Sequence, residues 1–272
     1  MSKLFSVLSW NVKHFKLKNK DVKGILDHIE KFNPDVMAIY EVTGKHVYSH
    51  MMERFPNHSF FITEGRQSQE ILVGTRNKLQ AFTTQRTEFN RKNTYLRPGT
   101  LTTFKIGDEN YSLLFLHTKS HTIPVGFGIR DDQFKNAFDL KKKLDKTAKG
   151  NNKAKFIITG DLNTMGLDYP FKKDIDAETE LKKMARNAKN REMKFLKKDF
   201  DHTWTNGKKM FGNLDHVLAS DHILFNKVGI NAEVKVSGWR EYHDSKNISK
   251  ERFMHFVKKI SDHNSLYFEI KK

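Results

Sequence analysis

The sequence predicts an α/β protein whose sheets are covered by helices, and three observations predict it. Short apolar, β-rich runs recur along the chain, helical patterns sit between them, and a turn signal at Gly107-Asp108-Glu109-Asn110 joins two adjacent runs as a hairpin. The runs are Leu4–Trp10, Val36–Tyr40, Ser59–Thr63, Ile71–Thr75, Thr100–Ile106, Tyr111–His117, Phe156–Thr159, Leu214–Ala219 and Ser265–Ile270. Val22, Ile25, Leu26, Ile29 and Phe32 follow helical spacing, and Asn33-Pro34 stops that helix. A second helix is expected from near Asp131, with Phe134, Ala137 and Phe138 inward and Gly150 near its end. A third is expected over roughly 177–198, on a stripe of Leu181, Met184, Ala185, Ala188, Phe195 and Leu196.

The chain has 272 residues, 37% of them hydrophobic, and 22 are Phe, which is enough for a sizeable core. No repeat, low-complexity tract or Pro/Ser-rich linker divides it, so residues 1–272 read as one domain. The balance of 49 Lys and Arg against 32 Asp and Glu gives a net charge of +17, which attracts polyanions: DNA, RNA or an anionic lipid surface. With no cysteine, thiolate ligands, thiol nucleophiles and disulfides are excluded. No apolar stretch is long enough for a membrane-spanning helix, and the first residues lead into a strand rather than a signal peptide. The default expectation is a cytoplasmic monomer, a removed leader being invisible in the sequence.

Six of the apolar runs end in polar or acidic residues. These are Asn11 in LSWNV, Glu41 in VMAIYEV, His117 in LLFLHTKS, Asp161 and Asn163 in FIITGDLNT, Asp215 in GNLDHVLAS, and Asp262 and His263 in SDHNSLYFEI. Asn11, Glu41 and Asp262 are oxygen donors of the kind that hard divalent cations prefer. Asp161 and Asn163 lie two apart after a glycine; an aspartate there can position or deprotonate a water, and the amide can donate to a phosphate oxygen. Asp215 can hold an imidazole such as His263 in one tautomer, and His117 adds a second imidazole. Singly, each residue also suits a strand cap or turn.

Together these motifs resemble the endonuclease/exonuclease/phosphatase superfamily, which includes deoxyribonuclease I and exonuclease III. The resemblance spans NPDVMAIYEV, the hairpin RPGTLTTFKI to YSLLFLHTKS, Arg130 and Gln133, TGDLN, HTWTN and LDHVLAS. It implies a four-layer sandwich of two mostly antiparallel sheets flanked by helices. It also implies hydrolysis of a phosphodiester by attack of water, assisted by Mg²⁺, with Mn²⁺ or Ca²⁺ as alternatives. Glu41 is then the main metal ligand, with Asn11 and Asp262. Asp161 and Asn163 position water and bind phosphate, His263 and Asp215 form an imidazole–carboxylate pair, and His117 and Arg130 contact phosphate.

The sequence also departs from relatives within that superfamily. Lys13 stands two after Asn11, where abasic-site endonucleases commonly carry an acid, and GNLDHV replaces their Gly-Trp-Arg segment. His117 points to the deoxyribonuclease and sphingomyelinase branches. The Pro-Ala-Trp-Cys-Asp-Arg motif of inositol polyphosphate 5-phosphatases is missing.

The expected activity is a nuclease cleaving DNA with low sequence specificity. The alternatives are a phosphodiesterase acting on a phospholipid head group or other small phosphoester, and an abasic-site endonuclease. A binding module with a decayed site is a third class, against which every station carries a competent residue type.

Segment 172–198 holds ten Lys or Arg against five acids, and 76–97 interleaves Arg76, Lys78, Arg86, Arg91, Lys92 and Arg97 with Phe82, Phe89 and Tyr95. Both suit a phosphate backbone or a solvated face. Trp239-Arg240 suits either a grip on nucleic acid or a core Trp beside a surface Arg.

Overall fold

In the computed structural model, residues 2–65, 69–91, 93, 95–148, 153–243 and 250–272 are described. The strands in chain order are β1 (Lys3–Phe15), β2 (Val36–Val42), β3 (His58–Ile62), β4 (Glu70–Arg76), β5 (Phe82–Arg86), β6 (Gly99–Ile106) and β7 (Glu109–His117). They continue with β8 (Lys155–Asp161), β9 (Met193–Phe195), β10 (Trp204–Thr205), β11 (Phe211–Gly212), β12 (Asp215–Ser220), β13 (Val234–Ser237) and β14 (Ser265–Lys271). The helices are α1 (Val22–Phe32), α2 (Lys45–Arg54), α3 (Pro124–Thr147), α4 (Ala177–Lys189), α5 (Arg240–His243) and α6 (Lys250–His255).

The chain divides into two compact units, one comprising residues 1–80, 197–213 and 224–272, the other 81–196 and 214–223. The first holds a six-stranded sheet in the order β13-β14-β1-β2-β4-β3, the second one in the order β5-β6-β7-β8-β12-β9. Each is mixed and mostly antiparallel, with one parallel pair in the middle: β1 with β2, and β7 with β8. The parallel pairs need a crossover, and α1 and α3 supply it. This is the sheet-and-helix class expected.

In the first unit Ile25, Leu26 and Ile29 of α1 pack with Leu8, Trp10, Ile39 and Leu72 of the sheet and with Phe253, Phe256 and Ile260. Asp21 caps α1 by accepting from the Gly24 N–H at 2.9 Å, and Asn33 ends it in the left-handed conformation (φ 43°). In the second unit Phe134, Ala137, Phe138 and Leu140 of α3 and Met184 and Ala188 of α4 cover Leu114, Phe156, Ile158 and Leu218.

Two helices differ from expectation. α3 starts at Pro124, seven residues before Asp131, because proline suits the first helical turn. It closes at Thr147, and the expected terminator Gly150 lies outside the described residues. α4 stops at Lys189 instead of reaching 198. Glu192 takes a left-handed φ of 53°, and Met193–Phe195 then pair with β12 as an edge strand. The stripe therefore joins a helix to a strand, whose Met193 and Phe195 pack against the same core, and Leu196 lies just past that strand.

Candidate active site

The functional residues of the first unit lie where β1 and β2 lose their regular pairing. Asn11 is in register with Tyr40, and the β1–β2 register shifts between Asn11 and Phe15. Lys13 and His14 both take left-handed backbone conformations (φ 45° and 53°), as does Glu41 (φ 60°). Three non-glycine residues in that region within one cluster mark backbone held against local preference by its surroundings.

What holds it is visible in the hydrogen bonds. The Lys13 N–H donates to Asn11 Oδ1 at 2.9 Å, and the His14 N–H to Glu41 Oε2 at 3.0 Å. Asn11 Nδ2 donates to the other carboxylate oxygen, Glu41 Oε1, at 3.2 Å. The Lys13 N–H needs an acceptor, which fixes the amide orientation of Asn11. Asn11 thus steadies Glu41.

Asp262, 6% exposed, meets the Lys13 ammonium at 2.7 Å and the Trp204 indole N–H at 3.2 Å, both through Oδ2. Its Oδ1 is buried with no hydrogen-bond partner among the described residues. A buried carboxylate oxygen without a donor is costly unless a cation takes it. Asp262 Oδ1 is thus an oxygen donor that suits a hard divalent ion such as Mg²⁺.

The segment carrying Asp262 and His263 is pinned at several points. Ser261 Oγ donates to the Asn11 carbonyl at 2.6 Å and accepts the His263 N–H at 2.9 Å. Trp239 donates to the Asp262 carbonyl and Trp10 to the His263 carbonyl, each at 3.0 Å. All three tryptophans of the chain thus direct their indole N–H to residues 262 and 263. Trp239 is fully buried, and Arg240 pairs with Asp199 at 2.8 Å and lies over the Phe200 ring, so the core reading of that pair holds. Nearby, Lys20 donates to the Ile260 carbonyl at 2.7 Å. Burial pushes its ammonium down to about 8, with the Asp262 charge acting in the opposite direction.

In the second unit the stations form a row. His117 at the end of β7 is in register with Asp161 at the end of β8, which is in register with Asp215 at the head of β12. Adjacent residues in such a row present their side chains side by side. His117 Nε2 lies 3.5 Å from Asp161 Oδ2. Asp161 Oδ1 accepts the Asn163 N–H at 3.1 Å, and Asn163, at φ 46°, donates Nδ2 to the Thr118 carbonyl at 3.1 Å. The turn after β8 is thereby tied to the residue following His117. His117, Asp161, Asn163 and Asp215 are each under 5% exposed.

Arg130 corrects an expectation. Instead of a substrate contact it is fully buried, with all five N–H donors used inside the unit. Nε and Nη2 pair with Glu180 at 2.6 and 3.1 Å, Nη2 also reaches the Gly166 carbonyl at 2.9 Å, and Nη1 donates to the Lys119 and His121 carbonyls at 3.1 Å. Glu180 in turn accepts the Gly166 N–H at 2.7 Å. Gln133 acts alike, accepting the Lys119 N–H and donating to the Phe89 carbonyl, both at 2.9 Å. Arg130 and Gln133 thus shape the chain just after His117.

The expected basic surface is partly neutralised. Arg76 and Lys78 pair with the buried Asp35, Arg86 with Glu88 and Arg91 with Asp132. Lys182 and Lys183 pair with Glu178 and Asp131. Lys92 lies outside the described residues. Sequence reasoning noted Lys13 only as a departure and missed Trp204 as a partner of Asp262. Its sequence signal was HTWTN, one of the stretches that carry the family resemblance.

Comparison with known proteins shows the family and the fold. A model of the Endonuclease/Exonuclease/phosphatase family matches residues 8–263, across both units. No curated protein matches the sequence. Among solved structures, a truncated TDP2 of Caenorhabditis elegans is similar at 15% identity and a TM-score of 0.68, covering 98% of this chain and 97% of that one. TDP2 of D. rerio in complex with a single strand DNA product follows at 13% identity and 0.65, covering 98% and 99%. The human Nocturnin catalytic domain with bound sulfate gives 14% and 0.62, covering 99% and 95%. At these identities the likeness is one of fold.

Proposed function

The chain belongs to the endonuclease/exonuclease/phosphatase family of metal-dependent phosphodiesterases, and from that premise we propose that it is a Mg²⁺-dependent nuclease cleaving DNA with little sequence specificity. The observation that carries this reading is the row of His117, Asp161 and Asp215 at three adjacent strand ends, on a chain of net charge +17. A polyanion is attracted to such a charge, and a single-stranded DNA product is bound by the fold relative from D. rerio.

In this reading Glu41, Asp262 and Asn11 hold the cation, whose chemistry is to neutralise charge developing on the phosphate. Asp161, its carboxylate oriented by Asn163, positions the attacking water and takes its proton. An amide has two N–H donors, and Asn163 spends one on Thr118, so the other suits a non-bridging oxygen. His117 contacts phosphate. His263 and Asp215 keep the roles of imidazole and carboxylate that the family resemblance implies.

The test is hydrolysis of plasmid, single-stranded DNA, RNA and sphingomyelin, each with Mg²⁺ and with EDTA. The proposal expects DNA cleavage that EDTA stops. Turnover of sphingomyelin without nucleic-acid cleavage would replace it with a lipid phosphodiesterase.

A further inference from the structure

Lys13 touches the first unit's oxygen cluster at two points: its N–H fixes Asn11 and its ammonium sits 2.7 Å from Asp262. The left-handed turn at Lys13 and His14 also carries the N–H that fixes Glu41. One strained dipeptide therefore organises all three residues expected to hold a cation. Its side chain places a positive charge where such an ion would draw on Asp262. With Lys13 and Trp204 on Oδ2, Asp262 has a single oxygen, Oδ1, left to offer.

We propose that the Lys13 ammonium is a built-in competitor for the divalent cation, neutralising Asp262 and holding this cluster to one weakly bound metal ion. The inference rests on the metal-dependent reading above. Its electrostatics follow from the charges. Glu41 and Asp262 carry −2 together, and Lys13 reduces that to −1. One divalent ion then brings the cluster to +1, and a second would raise it to +3. Two unit charges a few ångströms apart, only partly screened, interact strongly enough to change ion affinity by about tenfold or more. Removing the ammonium therefore strengthens binding of a divalent ion substantially. The Lys13 side chain is 45% exposed, so neutral replacements of similar length leave the core untouched.

The experiment is titration of the metal-free full chain with Mn²⁺ alone, free ion being counted by electron paramagnetic resonance and heat by calorimetry. Lys13→Met, and Lys13→Gln as a second neutral variant, should bind Mn²⁺ at least about tenfold more tightly than wild type. In an Asp262→Asn background the same replacements should change little, because the competitor has lost its carboxylate. Glu41→Gln should weaken binding in every background. Equal affinity and stoichiometry in wild type and both Lys13 variants, with Glu41→Gln still weakening binding, would overturn the competitor role alone. Binding indifferent to Glu41→Gln would overturn the metal site itself, and the inference with it.

Discussion

The indole N–H of Trp10 donates to the carbonyl oxygen of His263 at 3.0 Å, joining residues 253 positions apart. Both groups are buried, so losing the donor removes a buried hydrogen bond from the segment that carries Asp262 and His263. Trp10→Phe keeps an aromatic ring and removes the donor. It should destabilise the fold by about 1–3 kcal/mol, read as a lower urea midpoint. An unchanged midpoint would show that this bond contributes nothing to pinning the segment.

Arg130 is the residue whose role moved furthest between sequence and structure. Breaking its buried pair with Glu180 leaves an uncompensated carboxylate. Arg130→Met should therefore lower stability by about 3 kcal/mol or more while leaving KM for DNA unchanged in the protein that folds. A stable variant with a raised KM would return Arg130 to the substrate.

His28 gives a pH dependence. It is half-buried, with its ring 4.5 Å from that of Trp10 and Nε2 2.9 Å from Ser265 Oγ. Burial, with the Lys31 and Lys235 charges in support and Glu241 opposing, pushes it down to about 4. The folded state thus binds a proton less readily than the unfolded one, whose histidine titrates near 6.5. This contribution is complete above pH 6.5 and is lost as pH falls from 6.5 through 4. The loss is on the order of 3 kcal/mol. His58 and His222, also lowered by burial, add in the same direction. Urea midpoints across that range should fall, and fall less in His28→Gln.

Substrate charge gives a fourth outcome. If about six phosphates are neutralised on duplex DNA, log Kd should vary with log salt with a slope of about 5 in magnitude. A flat response in a filter-binding or fluorescence titration would remove the polyanion.

Much of the fold was legible because burial leaves a periodic trace: every apolar run became a strand, and α1 matched its stripe and its Asn33-Pro34 stop. Elements without that trace were missed. The helix α2 (KHVYSHMMER) is mostly polar, and β5 (FTTQR) is a half-exposed edge strand. The helix stripe over 177–198 misled because Phe195 packs against the same core from a strand, and Leu196 follows that strand. At the site, the residue types and their strand-end positions were readable. Which charges were already spent was not: Arg130 read as a ligand contact because sequence carries no sign of Glu180 and Gly166 as its partners.

The central claim is that this chain cleaves phosphodiesters through a metal and the Asp161 carboxylate. The direct measurement is the initial rate of plasmid nicking in Mg²⁺ for wild type and Asp161→Ala, with circular dichroism confirming that both are folded. The account predicts cleavage by wild type that EDTA stops, and loss of at least about a hundredfold in Asp161→Ala, the scale of a general base. Wild-type rates in folded Asp161→Ala, or nicking that persists in EDTA, would contradict it.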